Sequence, residues 1–138
     1  MNNSTKSLFA TKNLRCTRQR IEVYAALAST KRHPTADELH NLVQHSTPGT
    51  SLATVYNTLE TLCDAGLCQK INTPAGAARY DADLSRHLHV VNDDGSVIDV
   101  PDDLSKKITS SLPNNLADEI APLCNGSRAS HLTIQIRS

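Results

Sequence analysis

The chain has 138 residues, 38% of them hydrophobic, with 14 Lys/Arg balanced by 14 Asp/Glu. That size allows one compact unit or two small ones and lets the chain bury about 68% of its unfolded surface without a disulfide scaffold. No apolar run approaches the ~18 residues of a membrane span, residues 1–10 lack the apolar stretch of an export signal, and zero net charge taken alone argues against a nucleic-acid partner.

The neutral total hides a split. Residues 1–80 carry nine Lys/Arg and five Asp/Glu, whereas residues 81–138 carry five and nine. A basic module joined to an acidic one is the expectation, with a boundary between residues 82 and 83. Aromatics are only 3% of the chain, so the core is expected to be Leu, Ile, Val and Ala.

A first helix is predicted over residues 5–13. Thr17 caps a second that runs to about residue 29, with Ile21, Tyr24, Ala25 and Ala28 as its inward stripe. Thr35 and Glu38 form a capping box, and Leu39, Leu42 and Val43 give the next helix its apolar face. Ser51 opens a fourth helix with Leu52, Val55, Leu59 and Leu62 inward, ending before Gly66. Residues 67–72 and 77–81 read as two short strands around a Pro/Gly turn. Helix, turn, helix and hairpin together predict a winged helix, a module that lays its second helix in the DNA major groove. The outward positions of that helix are then Ser51, Thr54, Asn57, Thr58 and Thr61, with Tyr56 at the edge. Their small polar groups suit phosphate and base edges. Arg15, Arg18, Arg20, Lys70 and Arg79 supply charge nearby, and the alternative is a solvated face of an interaction domain.

Residues 87–91 and 96–100 are predicted strands joined by an Asn/Asp/Gly turn. A helix begins at Pro101, Asp102 and Asp103, with Leu104, Ile108 and Leu112 as its apolar face. A short helix is expected over residues 116–123 and a last strand over residues 131–136. The whole is α+β: an N-terminal winged-helix DNA-binding domain (1–82) and a small C-terminal α/β dimerisation domain (83–138).

His87 and His89 lie two apart on a predicted strand, so both face the same side and can share one divalent metal. By itself the pair is equally a polar strand face. Cys16, Cys63, Cys68 and Cys124 form no C-x-x-C pair and read as free, small buried hydrophobes in a reducing compartment. Cys63 and Cys68 leave a redox pair as the alternative. H-E-x-x-H, G-x-S-x-G and phosphate-binding glycine loops are all missing from the sequence, so an enzyme is not expected.

Several stretches carry a family resemblance: Thr17-Arg18-Gln19-Arg20, His33-Pro34-Thr35-Ala36-Asp37-Glu38-Leu39, Ser51-Leu52-Ala53-Thr54-Val55-Tyr56, Asp64-Ala65-Gly66-Leu67, Ala78-Arg79-Tyr80-Asp81 and His87-Leu88-His89. In order and spacing, over about residues 14–100, the chain resembles the ferric uptake regulator family. The resemblance implies a cytoplasmic, homodimeric, metal-dependent transcription regulator on palindromic double-stranded operators. On the winged-helix reading above, the expected DNA contacts are Arg15, Arg18, Arg20, Ser51, Thr54, Tyr56 and Asn57. The resemblance also implies a regulatory metal between the two domains held by His33, Asp81, His87, His89 and Asp99. Three imidazoles and two carboxylates suit Fe(II) or Mn(II), with zinc as an in-vitro substitute. Aspartate at both 81 and 99 is similar to the peroxide-sensing repressor branch, in which iron oxidises a ligand histidine; the matching residues are His33 and His87. The alternative is an iron- or manganese-uptake regulator without that oxidation.

The sequence departs from the family in three places. Relatives carry two C-x-x-C pairs for a structural zinc; Val91-Asn92-Asp93-Asp94 stands at the first, and no cysteine follows residue 131, so no structural zinc is expected. Asn57 stands where relatives often have Arg. Cys16 is followed by Thr17, unlike the Cys-Pro of haem-responsive relatives. His40 and His45 read as exposed helix residues, and His131 as a strand-end residue or a ligand of a secondary site.

Overall fold

The computed structural model describes residues 3–74 and 76–126. The chain divides into two compact units, Met1–Val100 and Pro101–Ser138. The expected strand over residues 131–136, and His131 with it, lies outside the described residues.

The first unit holds helices α1 (Asn3–Thr11), α2 (Arg18–Ala28), α3 (Ala36–Val43) and α4 (Leu52–Asp64), then strands β1 (Gln69–Ile71), β2 (Arg79–Asp81), β3 (His89–Val91) and β4 (Val97–Asp99). Both hairpins are antiparallel: β1 pairs with β2 and β3 with β4. The fold is therefore α+β. The division after Val100 groups β3 and β4 with the helices that precede them.

Local chemistry starts each helix where the sequence places it. The Thr17 hydroxyl accepts from the Arg20 amide at 3.3 Å. Thr35 and Glu38 form a reciprocal capping box, each backbone N–H bonded to the other's side chain at 2.9 and 3.2 Å. Ser51 accepts from the Thr54 amide at 3.1 Å. Such caps satisfy donors that the first helical turn leaves orphaned. Gly66 adopts a left-handed φ of 72°, and its N–H and that of Leu67 return to the carbonyls of Cys63 and Leu62, closing α4. Helix α1 begins and ends earlier than residues 5–13; Asn13, with a left-handed φ of 54°, cannot continue it.

The core is built from Phe9, Ile21, Val23, Leu27, Leu39, Val43, Val55, Leu59 and Leu62. Burying each such side chain contributes roughly 1.5–3 kcal/mol. Aromatics enter it after all: Phe9 is fully buried and meets Tyr24 edge-on at 5.7 Å, and Tyr80 is buried on β2. The inward face of α2 differs from expectation. Val23 and Leu27 are buried while Ala25 and Ala28 face outward, because the bulkier side chains claim the interface with α3 and α4. Leu42 is exposed rather than inward, and Ala36 takes its place in the core. Thr58, expected to face outward, is buried.

In the second unit, α5 (Asp102–Ser110) starts at Pro101 with Asp102 and Asp103 in its first turn, followed by α6 (Leu116–Ile120) and a 3-10 turn over Ala121–Cys124. The expected apolar face of α5 is not covered among the described residues: Leu104 and Ile108 are exposed, and Ser105 is the buried position. No helix among the described residues is long and apolar enough to cross a membrane.

Candidate metal centre

His33, Asp81, His87, His89 and Asp99 come together. One donor atom from each lies within 4.8 Å of all the others.

Each donor has a local reason for its position. His33 sits between α2 and α3, just before Pro34. The backbone after it runs alongside β2, with a Tyr80 N–H to Pro34 carbonyl bond of 3.0 Å and a bridge between Thr35 and Arg79. The Arg79 guanidinium donates to the His33 carbonyl at 3.0 Å and to the Gly95 carbonyl at 2.6 Å, and lies 3.4 Å from the Glu38 carboxylate. One side chain thus joins the His33 segment to the β3–β4 turn. His33 itself takes φ +51°. A non-glycine residue there, and one preceding proline, is strained by roughly 1–3 kcal/mol.

Asp81 ends β2. Its Oδ1 accepts from the Asp83 amide at 2.8 Å, which turns Oδ2 toward the cluster. Across the β3–β4 ladder His89 stands opposite Asp99, so their side chains share a face. The Leu88 carbonyl accepts from the Val100 amide at 2.8 Å, prolonging the pairing toward His87. His87 Nδ1 lies 2.7 Å from the Ser85 carbonyl. With the proton on Nδ1, Nε2 offers a lone pair to the cluster.

The Nε2 atoms and carboxylate oxygens crowd one point. His87 and His89 Nε2 are 2.9 Å apart. Asp81 Oδ2 lies 2.9, 3.0 and 3.4 Å from Nε2 of His87, His89 and His33. Asp99 Oδ1 lies 2.9 Å from His33 Nε2. That last pair is close but misaligned: His33 Nε2 and Asp99 Oδ1 are both buried without a hydrogen bond. The rings of His33 and His87 meet that of His89 edge-on, at 87° and 85°. Lone pairs pressed together in this way repel unless a cation or shared protons lie among them. Two carboxylates and three neutral imidazoles carry a charge of about −2, which a divalent ion cancels. Metal–donor bonds of about 2.1 Å set neighbouring donors roughly 3 Å apart, matching these separations. The residues therefore fit a divalent cation, and the mixed N/O set suits Fe(II) or Mn(II).

Burial pushes the Asp81 carboxyl up, but the Asp83 amide and the His87 and His89 imidazoles outweigh it, with His33 adding, and hold it below the ordinary value. Burial also depresses His87, yet the Ser85 carbonyl, Asp81 and Asp99 outweigh it and hold His87 above the ordinary imidazole value. Burial holds His89 below it, against the pull of Asp81. The Asp81 side chain is 4% exposed and that of Asp99 31%, although the Asp99 Oδ1 that faces the cluster is buried.

The residues expected to meet DNA are not gathered in one place. Arg15, Arg20, Thr54 and Asn57 line a hollow of about 340 Å³, together with Thr17, Gln19 and Thr58. Gln19 belongs to the Thr17–Arg20 motif but was not singled out in the sequence. Ser51 is exposed at the α4 cap. The Arg18 guanidinium donates to the Ser46 carbonyl at 2.9 Å. Tyr56 lines a separate hollow with Glu60, Cys63 and Lys70. Arg79, counted above among the charges near the DNA face, is committed to the carbonyls around the cluster. His40 is half-buried, with Nε2 2.9 Å from the Thr50 carbonyl, rather than exposed.

This chain belongs to the ferric uptake regulator family, whose model matches residues 11–120. It is 31% identical over 87 residues to a peroxide-responsive repressor of Staphylococcus aureus, a match covering 62% of this chain and 59% of that protein. The chain thus spans less than two thirds of the length of that relative. Among solved structures it resembles the Pseudomonas aeruginosa ferric uptake regulator with manganese (26% identity, TM-score 0.66, 94% of this chain and 92% of the other). It also resembles a Campylobacter jejuni peroxide stress regulator (27% identity, TM-score 0.62, 97% and 93%).

Proposed function

We propose that the protein is a cytoplasmic, homodimeric transcriptional repressor that binds palindromic operator DNA when Fe(II) or Mn(II) occupies the His33, Asp81, His87, His89 and Asp99 site, and that peroxide relieves repression. On this reading residues 1–82 form the winged-helix DNA-binding domain and residues 83–138 the dimerisation and metal-sensing domain. The observation that carries it is the convergence of five donors around buried, unsatisfied His33 Nε2 and Asp99 Oδ1.

His33 and Asp81 come from the helical part and its wing; His87, His89 and Asp99 come from the hairpin that follows. These donors bind the metal together only when the two parts are closed on each other. A metal that binds this arrangement better than an open one shifts the population toward it by its differential affinity. When bound, iron supplies the electron-transfer chemistry that makes peroxide an oxidant at this site, and the imidazoles at risk are His33 and His87. Arg15, Arg20, Thr54 and Asn57 would meet the operator backbone and base edges.

A second reading, uptake regulation by iron or manganese without histidine oxidation, is favoured by the likeness to the P. aeruginosa regulator with manganese. One experiment separates the two. The iron- and manganese-loaded forms are exposed to peroxide and assayed for operator retention and by peptide mass spectrometry. Peroxide sensing predicts a gain of about 16 Da on His33 or His87 in the iron form alone, with loss of DNA binding. Unmodified histidines and retained binding establish the second reading.

A further inference from the structure

Outside the metal cluster, two cysteines meet. Cys63 lies in the last turn of α4 and Cys68 just before β1, and their sulfurs are 3.2 Å apart. The turn closed at Gly66 folds the chain back to bring them together. Their surroundings differ. Cys68 is buried, its sulfur over the Leu59 carbonyl. Cys63 is half-exposed and lines a hollow of about 400 Å³ with Tyr56, Glu60, Asp64, Lys70 and Tyr80.

We propose that Cys63 and Cys68 form a peroxide-oxidisable dithiol site, with Cys63 the attacking thiol and Cys68 the resolving one. The hollow admits a small hydroperoxide to Cys63, whereas Cys68 is buried and does not line it. The hydrogen bond from Cys68 lowers the Cys63 thiol's pKa, against burial and Asp64, with Lys70 adding to the lowering. The same contact and burial push Cys68 up, keeping it a thiol until it is needed. The Cys63 thiolate attacks one peroxide oxygen, the O–O bond breaks, and the departing hydroxide takes a proton to leave as water. The product is a sulfenic acid on Cys63. The Cys68 sulfur, losing its proton as it attacks, forms the S–S bond and expels the sulfenic oxygen as a second water. In total, two thiols and hydrogen peroxide give a disulfide and two waters, the thiols losing the two electrons that peroxide gains. The sulfurs need approach by only about 1 Å to reach the usual S–S length. No metal takes part, so this site and the histidine chemistry proposed above stand or fall separately.

The test uses the 138-residue chain, as isolated and after chelation with EDTA, treated with hydrogen peroxide. Thiol titration should lose two of the four cysteines. Intact mass should fall by about 2 Da, and a non-reducing peptide map should join Cys63 to Cys68, all reversed by dithiothreitol. Cys68→Ala should leave a Cys63 sulfenic acid that dimedone traps, and Cys16→Ser should change nothing. The peptide map of the unsubstituted chain decides the matter even if Cys68→Ala fails to fold. Linkage through Cys16 or Cys124, or a Cys63 that stays reduced while Cys16 oxidises, would overturn the proposal.

Discussion

His89 and Asp99 are cross-strand partners whose donor atoms lie 3.4 Å apart, on a hairpin of only three paired residues per strand. So short a hairpin has little intrinsic stability. Beside the buried Val97, its anchors to the rest of the unit include the Arg79 bond to Gly95 and the convergence of its donors with His33 and Asp81. Metal binding and ordering of the hairpin should therefore be one event.

Replacing Asp99 or His87 with alanine should weaken manganese binding at least tenfold, about 1.4 kcal/mol, and abolish the rise in melting temperature that saturating metal produces. Because Asp99 is partly exposed, Asp99→Ala should leave the metal-free melting temperature nearly unchanged. Titration calorimetry and thermal melts with and without metal check both. Unchanged affinity in both variants would remove these residues from the site.

Metal affinity should fall on acidification. His87 is held above its ordinary value of 6.5, so as pH falls it takes up, more readily than a free imidazole does, a proton that metal must displace, and affinity should drop toward tenfold per pH unit for each such proton. His89, lowered by burial, adds less over the same range. The metal-free chain responds with opposite signs. The raised His87 value adds stability that is full below 6.5 and lost as pH rises through the folded value. The lowered Asp81 value adds stability present above 3.8 and lost as pH falls through the folded value. Manganese titrations at about pH 6 and about pH 7.5 read the first effect; equal affinities at both would contradict it.

Arg79→Lys should behave nearly as badly as Arg79→Ala. The planar guanidinium reaches the carbonyls of His33 and Gly95 at once, and an ammonium cannot span both in that geometry. Losing the clamp frees the strained His33 backbone to relax away from the cluster. We expect metal affinity to fall on the order of tenfold in both variants, the range seen when groups supporting metal ligands are removed. Full rescue by lysine would reduce Arg79 to a source of charge.

What the sequence discloses follows the range of the forces involved. Caps at Thr17, Thr35 and Ser51, and the stop at Gly66, are settled within four residues, and the structure has them where spacing puts them. The α2 face was not readable, because Ala25 and Ala28 satisfy helical periodicity as well as Val23 and Leu27 do; only the volume available against α3 and α4 decides between them. Thr58 likewise reads as a polar outward residue until its neighbours are known. Within the cluster, His87 and His89 share a face by strand alternation, whereas His33, Asp81 and Asp99 were named through family resemblance. The left-handed φ of His33 contradicts the extended backbone that Pro34 favours. Arg79 reaches a carbonyl 46 residues away, and no local pattern announces such a contact.

The operator face yields a prediction that separates positioning charge from sequence reading. Arg15 is exposed at the hollow it shares with Thr54 and Asn57, whereas Arg18 is bonded to the Ser46 carbonyl. Arg15→Ala should weaken binding to specific and random DNA alike and reduce the slope of log K against log salt by about 1. Arg18→Ala should change that slope less, because its guanidinium already has a partner within the protein. Asn57, with both a donor and an acceptor, can read a base edge. Asn57→Ala should leave the salt slope intact and narrow the gap between operator and random DNA by roughly 1–3 kcal/mol. Fluorescence anisotropy across a salt series, with metal-loaded protein and both DNAs, measures all three. If Asn57→Ala lowers both affinities equally, Asn57 contacts phosphate rather than base, and sequence reading must come from another side chain of α4.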